Sequence, residues 1–469
     1  MICNMKVIKI FFLGALVMAV NPGHAQDQPY RLTLVQAREY ALQHNKTLLN
    51  ARDQTVSSKE KIRESIAQGL PQVNGSIDYM TYFNYEMNFS FGGTGEPVDF
   101  YNTPPFNQDP YEPGDQAVLT TITSMLGSSE PIVMDDQLSG KLQVSQLIFS
   151  GQYIFGIKAA KIARQLADQS LVASELDIKE NVTNSYFLIL TTEQTLRILS
   201  ENLLNLNEIQ KHTSNLYQAG VAEETDVDQL KITVSQLKNT QKALERMNQL
   251  NYNMLKFQLG VAPDADIVLA DNLDRVMEII DSQSALSTDF DITNNIHYML
   301  MESQVSLNKK LLDIQNMAYA PTVAGFYSYT EKFITTAFDL TPNHLAGFNV
   351  SVPIFSSGMR RAQVAQARIN LNMAQRNQEM IRDQLETQKR QLLFNYQNAL
   401  ENFTTQKENV AIAGRVYKSI QNKYQQGVAS SMDLTQANSN YLSAESNYMS
   451  SVLTLLQAQT SLDKLYNKL

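Results

Sequence analysis

The chain has one cysteine and no tryptophan in 469 residues. Cys3 lies ahead of the apolar run Ile10 to Val20, so the chain beyond that run has no disulfide, catalytic thiol or cysteine-ligated metal. Lying before the run instead of after it, Cys3 is also badly placed for a lipidated N-terminal cysteine. Basic residues are outnumbered, 38 Lys and Arg against 47 Asp and Glu, giving a formal net charge of −9. No basic stripe stands out to follow a phosphate backbone, so nucleic acid is not an expected partner. Long apolar runs are missing too. No segment after residue 25 approaches 18 consecutive apolar residues, so a place in a membrane requires a β-barrel. Helix breakers are scarce where they would matter most. From Gly151 to Gln218 there are 68 residues with no proline and no glycine except Gly151 and Gly156.

What is present begins with a targeting pattern. Lys6 and Lys9 precede the apolar run, and "NPGHAQ" follows it, with Gly23 and Ala25 at the small positions of a cleavage site. This predicts a signal peptide over 1–25, cut after Ala25. Its removal takes two lysines and shifts the net charge from −9 to −11.

The chain repeats itself. "NLYQAGVAEETDVDQL" (215–230) returns as "NKYQQGVASSMDLTQA" (422–437), an offset of 207 residues. Tyr217/Tyr424, Gly220/Gly427, Val221/Val428, Ala222/Ala429 and Asp226/Asp433 coincide. "VSQLIFSG" (144–151) is echoed by "VSVPIFSSG" (350–358). "NKTLLNARDQ…GLPQV" (45–73) is echoed by "NIHYMLMESQ…YAPTV" (295–323) at offset 250, so the first copy holds about 43 extra residues. The organisation expected is a first repeat over 26–260, an acidic, irregular linker over 261–289 and a second repeat over 290–469. Each repeat reads as an amphipathic helix (about 33–68 and 291–318), two alternating segments, then two long helices separated by the shared turn.

The alternating segments have unlike faces. Val73, Ile77, Tyr79, Phe83 and Phe89 fall on one side of the first, with Asn74, Ser76, Asp78, Asn84 and Glu86 on the other. That is the period of a β-strand. Strands are expected at about 73–91, 137–149, 322–337 and 344–355. Alternation alone suits a hairpin on a soluble core as well as a membrane strand, apolar toward lipid and polar toward water. The signal peptide, the missing cysteines and the aromatic richness of 79–91 favour the membrane.

A helix over 151–218 would be roughly 100 Å long at 1.5 Å per residue, far beyond what a globular core needs. The last helix carries Leu434, Tyr441, Tyr448, Leu455, Leu462 and Leu469 every seventh residue, with Ala437, Ala444, Ser451, Ala458 and Leu465 between them. Large residues alternating with small ones let helices approach closely. Four strands cannot close a barrel, and an open edge in lipid strands its backbone polar groups. The barrel is therefore shared between chains in a cyclic homo-oligomer.

On these features the chain resembles the TolC-like outer membrane efflux proteins. "LTLVQAREYALQHNKTLLNA" (32–51) is similar to the family's opening signature, "GLPQV" and "YAPTV" to its proline between helix and strand, and "LIFSG" and "VPIFSSG" to its return from strand to helix. The resemblance covers essentially everything after the signal segment. It implies a mainly α fold with a membrane β-barrel part, in which a homotrimer builds a twelve-stranded barrel and an α-helical tunnel through the periplasm. It implies an outer membrane channel that passively exports substrates from a tripartite pump, with a periplasmic adaptor protein and an inner-membrane transporter as partners. The two turns would be periplasmic tips forming a closable entrance and touching the adaptor, through Gly220, Val221, Ala222, Asp226, Tyr424, Gly427, Val428, Ala429 and Asp433. Tyr424 and Asp226 match the family's gate-forming tyrosine and aspartate. Relatives often have an arginine where this chain has Ala429, and an acid where it has Gln436, so closure here cannot use that arginine.

No catalytic pattern competes. His24, His44, His212, His297 and His344 stand at no metal-ligand spacing, so no metal or other cofactor is expected. "FGGTGEP" (91–97) opens no helix and suits a loop better than a phosphate cradle. No nucleophile is placed beside a base. The loop 92–135 holds six of the chain's thirteen prolines; joining two strands of a hairpin, it would face outside the cell. The alternatives are a periplasmic coiled-coil adaptor or scaffold without a pore, and an ordinary porin, against which the long helices argue.

Overall fold

The computed structural model describes residues 30–83, 85–87, 132–133, 136–278, 290–334 and 341–469. The segment 1–25, nearly all of loop 92–135, residues 88–91 and 335–337 of the expected strands and 279–289 of the expected linker lie outside them. The elements are β1 (Tyr30–Leu32), α1 (Leu34–His44), α2 (Lys46–Ala67), β2 (Gln72–Met80), β3 (Glu86–Met87), β4 (Ile132–Val133), β5 (Gln137–Phe149), α3 (Gly151–Gln218), α4 (Glu224–Leu259), β6 (Ile267–Leu269), α5 (Leu273–Glu278), α6 (Ile296–Met317), β7 (Thr322–Ile334), β8 (His344–Ser351), α7 (Met359–Gln425) and α8 (Ser431–Leu465). They fall into two compact units.

One unit comprises Val56–Leu166 and Glu302–Asn377. Its centre is an antiparallel sheet in the order β2-β5-β7-β8. The register gathers the alternation onto two faces. Val73, Val144, Tyr327 and Ala346 form one row, and Gly75, Leu142, Tyr329 and His344 the next. On the opposite face Asn74, Gln143, Ser328 and Leu345 align, and Ser76, Lys141 and Thr330 beside them. The apolar face is uncovered: Ile77 is 78% exposed and Phe348 79%. All four strands meet a helix at the same end of the sheet, α2 before β2, α3 after β5, α6 before β7 and α7 after β8.

Two strands are shorter than the alternation suggests. β2 stops at Met80 and Phe83 takes a positive φ of 52°, which breaks the extended ladder. β8 stops at Ser351, because Pro353, two residues on, has no N–H to donate. Where helices meet the sheet the two repeats solve one packing problem in opposite ways. A Cβ on Gly69 would lie 2.3 Å from the Tyr153 ring, whose hydroxyl donates to Ile66 O at 2.9 Å. At the equivalent place Tyr319 supplies the aromatic ring from the turn, and the Arg360 guanidinium lies 5.8 Å from its centroid.

The other unit comprises the chain up to Thr55, Ala167–Met301 and Gln378–Leu469. It is helical apart from the parallel pair β1–β6. One core cluster joins Ala37 and Ala41 of α1 to Val182, Tyr186 and Ile189 of α3, Leu255 and Leu259 of α4, and Val452 and Leu456 of α8. A second joins Leu206 and Ile209 to Leu230, Val234, Leu237, Tyr417, Leu434 and Ala437. Tyr186, fully buried, donates toward Leu32 O (3.1 Å) and Asp271 Oδ2 (3.0 Å), and Asp271 accepts the Leu34 N–H at 2.7 Å. Burial first, and the Asp271 charge with it, push the Tyr186 phenol far above its ordinary range. The segment after Gly260, read as irregular, thus carries β6 and α5 and packs Ile267, Leu273 and Val276 into the core.

The expected helix 33–68 is broken at Asn45, and the break has a partner in the second repeat. Asn45 Oδ1 accepts the Thr47 N–H (2.8 Å) while its Nδ2 donates to Gln258 O (2.7 Å). Asn295 Oδ1 accepts the His297 N–H (3.0 Å) while its Nδ2 donates to Leu465 O (3.1 Å). Each buried asparagine caps the helix it begins and ties that helix to a carbonyl at the end of its own repeat's last long helix, an orphan group otherwise.

Candidate functional site: the paired helical tips

Both tips end their descending helix in the same way. Gly220 and Gly427 take φ of 72° and 73°, the left-handed region that glycine enters without a Cβ penalty. Gly220 N–H donates to Tyr217 O and Val221 N–H to Leu216 O, both at 2.9 Å; Gly427 N–H donates to Tyr424 O at 2.9 Å and Val428 N–H to Lys423 O at 2.8 Å. Ala222 and Ala429 add longer bonds to the same carbonyls, 3.4 and 3.3 Å. Satisfying the last carbonyls from within the turn leaves the next side chain outside. Val221 and Val428 are each 73% exposed, and Met432 is 71% exposed.

The ascending helices begin differently. At Ser430 the capping box is complete: Asp433 N–H donates to Ser430 Oγ (3.1 Å), and Asp433 Oδ2 accepts from Ser430 N (3.0 Å) and Ser430 Oγ (2.7 Å). The Ser430 hydroxyl and then its N–H hold the Asp433 carboxyl below the usual aspartate range. At the first tip Asp226 Oδ2 receives Glu223 N–H at a long 3.4 Å. Its Oδ1 accepts instead from Ser431 Oγ, across on the other tip.

A second bond joins the tips. Tyr424 OH lies 2.6 Å from Thr213 Oγ1. Thr213 is fully buried and spends its one proton on Ile209 O at 2.9 Å, so the tyrosine is the donor. Burial first, and the Asp226 charge with it, raise the Tyr424 phenol above its ordinary value. The structure thus brings Asp226 and Tyr424 together, leaves Asp433 on its own helix, and sets Val221 and Val428 outward. Ala429 is a half-buried methyl, and Gln436 donates to Asn440 Oδ1 at 2.9 Å.

Sequence reasoning missed Thr213 and Ser431 as partners. Ser431 (6% exposed) had a signal, since the first copy has Glu224 at that place. Thr213 had none, because a threonine inside a long helix looks like any other. Among the described residues no three His, Cys, Asp or Glu are grouped to hold a metal ion. No described helix is long and apolar enough to cross a membrane.

The chain matches the family model described as "Outer membrane efflux protein" over residues 123–261 and 303–468. Among solved structures it is similar to CusC at TM-score 0.70, 14% identity and 93% coverage of each chain. It is similar to the outer membrane protein VceC of Vibrio cholerae at TM-score 0.67, 16% identity and coverage of 92% of this chain and 95% of that one. The CmeC outer membrane channel of Campylobacter jejuni gives TM-score 0.68, 14% identity and coverage of 99% and 94%. No curated protein sequence matches.

Proposed function

We infer the role of the tips from one premise: the chain belongs to the outer membrane efflux protein family. It is an export channel with the family's fold, a trimeric barrel joined to a helical tunnel, and the family serves tripartite pumps and is one of transport channels, not enzymes. The scaffold reading gives no use to a sheet whose apolar face is bare.

Beyond that, the tips are the closable entrance of a passive duct. The observation that carries this reading is the pair of bonds, Ser431 to Asp226 and Tyr424 to Thr213, that tie the α3–α4 hairpin to the α7–α8 hairpin. A hairpin swinging outward breaks both bonds, so they hold the closed packing and their loss permits the open one. Energy for transport comes from an inner-membrane transporter, reached through a periplasmic adaptor that contacts the outward Val221 and Val428. The signal over 1–25 directs the chain across the inner membrane and is cut after Ala25, and the tandem repeats 26–260 and 290–469, joined by 261–289, give each subunit its two tips. Single-channel recording in planar bilayers tests the entrance. Replacing Asp226 with Ala and Tyr424 with Phe together should raise conductance several-fold; unchanged conductance and unchanged antibiotic leakage in cells would end the gate role of this pair.

A further inference from the structure

The chain is acidic, yet the first turns of the helices leaving the sheet are not. Residues 151–166 of α3 contain Lys158, Lys161 and Arg164 and no acid; residues 359–378 of α7 contain Arg360, Arg361, Arg368 and Arg376 and no acid. Lys161 and Arg368 are equivalent positions of the two repeats, 207 residues apart. In the helices entering the sheet part of the charge is neutralised locally: Lys61 pairs with Glu64 and Arg63 with Glu60, both at 2.7 Å, and Lys310 with Asp313 at 2.9 Å, whereas Lys59 and Lys309 make no ion pair among the described residues. Lys158, Lys161, Arg361 and Arg368 are exposed and make no ion pair among the described residues.

We propose that Lys158 and Lys161 of α3 with Arg361 and Arg368 of α7 form a cationic collar that holds anionic phospholipid headgroups of the leaflet on the helix side of the sheet. This rests on the reading that the bare apolar sheet face meets lipid. The collar is continuous with that face. Directly before it each repeat exposes an Ile-Phe pair, Ile148 (55%) with Phe149 (42%) and Ile354 (92%) with Phe355 (84%). Arg361 and Lys158 lie about 3 and 10 Å along their helices and Arg368 and Lys161 about 14–15 Å, so apolar side chains give way to cations at the edge of a headgroup layer roughly 5–8 Å thick, which the farther pair reaches by extending long side chains back toward it. Side-chain direction fits. Cβ atoms tilt toward a helix's N-terminus, and α3 and α7 both have that end at the sheet, so their cations lean back to the interface. In α2 and α6 the tilt is away from it, and three of their cations, Lys61, Arg63 and Lys310, are held by acids of their own helix. The Lys158 ammonium also sits 4.7 Å over the Phe155 ring centroid, its stem laid along an apolar surface with the charge held outward. Net charge hides the patch because it is assembled from two helices about 200 residues apart in sequence.

Each cation brought to an anionic lipid surface favours it by about fivefold. The full-length protein is reconstituted in phosphatidylcholine, and association of spin-labelled phosphatidylglycerol is compared with that of spin-labelled phosphatidylcholine. We expect roughly tenfold or greater preference for phosphatidylglycerol, falling in high salt. The variant K158Q/K161Q/R361Q/R368Q should lose the preference at unchanged single-channel conductance, and the charge-preserving K158R/K161R/R361K/R368K should keep it. Undiminished preference in the Gln variant overturns the collar. So does undiminished preference with an altered cation-to-anion permeability ratio, which would place these groups in the lumen. If the fourfold variant does not assemble, K158Q/K161Q and R361Q/R368Q are compared separately, and full preference in both overturns it equally. The lipid arm needs no current, so loss of the duct reading and loss of the collar are told apart.

Discussion

The two tips begin as copies and end as different devices. Their descending halves are the same to within a degree or so of φ at Gly220 and Gly427. Their ascending halves diverge at one pair of positions. Asp226 reaches across to Ser431, but the mirror-image contact would bring Asp433 to Glu224, the residue equivalent to Ser431. Two carboxylates facing each other repel, and Asp433 instead turns back to cap its own helix through Ser430. The tyrosines divide similarly. Tyr424 donates to Thr213, whereas Tyr217 would meet Ile420, the equivalent of Thr213, and is 43% exposed. One tip therefore supplies the acceptors of the tie and the other its donors, and a duplication has become a complementary pair.

Making the copies alike again should break the tie. Ser431→Glu recreates the mirror-image clash at Asp226 and should have the largest effect, roughly tenfold higher open probability in bilayers at low salt, weakened in high salt. Behaviour like that of the unsubstituted channel would mean the Asp226–Ser431 bond does not hold the closed state. At the sheet end, Gly69→Ala forces a Cβ into the Tyr153 ring and should cost roughly 2 kcal/mol of trimer stability, as overpacking does. Adding Tyr153→Ala should recover most of that loss in a double-mutant cycle; purely additive effects would refute the contact. Thr213→Val removes the acceptor of Tyr424 without changing volume greatly, and should cost about 1 kcal/mol. It should also raise conductance less than Ser431→Glu.

Much of this was legible in the chain. The seven-residue spacing of Leu434, Leu455 and Leu462 identifies residues that are buried, and the alternation over 137–149 gives β5 end to end. Such patterns are local and repeat many times, so single exceptions do not hide them. Failures came where one residue overrides its neighbours. Asn45 splits a continuous helical pattern because its side chain caps a new helix and reaches Gln258 O. The Ser431 and Thr213 contacts join residues more than 200 apart. The duplication showed that the tips differ, but only three-dimensional placement shows which differences face each other.

The smallest expected effect concerns the cap that distinguishes the second tip. The folded state holds the Asp433 carboxyl below the usual aspartate range through Ser430. A depressed folded value means the unfolded chain binds the proton more readily. The contribution to stability is therefore complete above the ordinary aspartate value, about pH 4, and is lost as pH falls through the lowered one. Hydrogen exchange at the amides of Ser430 and Asp433 reads the cap directly. Protection should persist on acidification to about pH 4 and fail below it. In Ser430→Ala the Asp433 N–H loses its acceptor at every pH, and the carboxyl loses the hydroxyl that lowers it, so protection of the residue-430 N–H should fail at higher pH, while the tie from Ser431 to Asp226 and the closed conductance persist near neutral pH. The same pH dependence in both proteins would show that the Ser430 hydroxyl does not set the carboxyl's affinity for protons. A simultaneous opening of the channel would show that cap and tie are one device, not two.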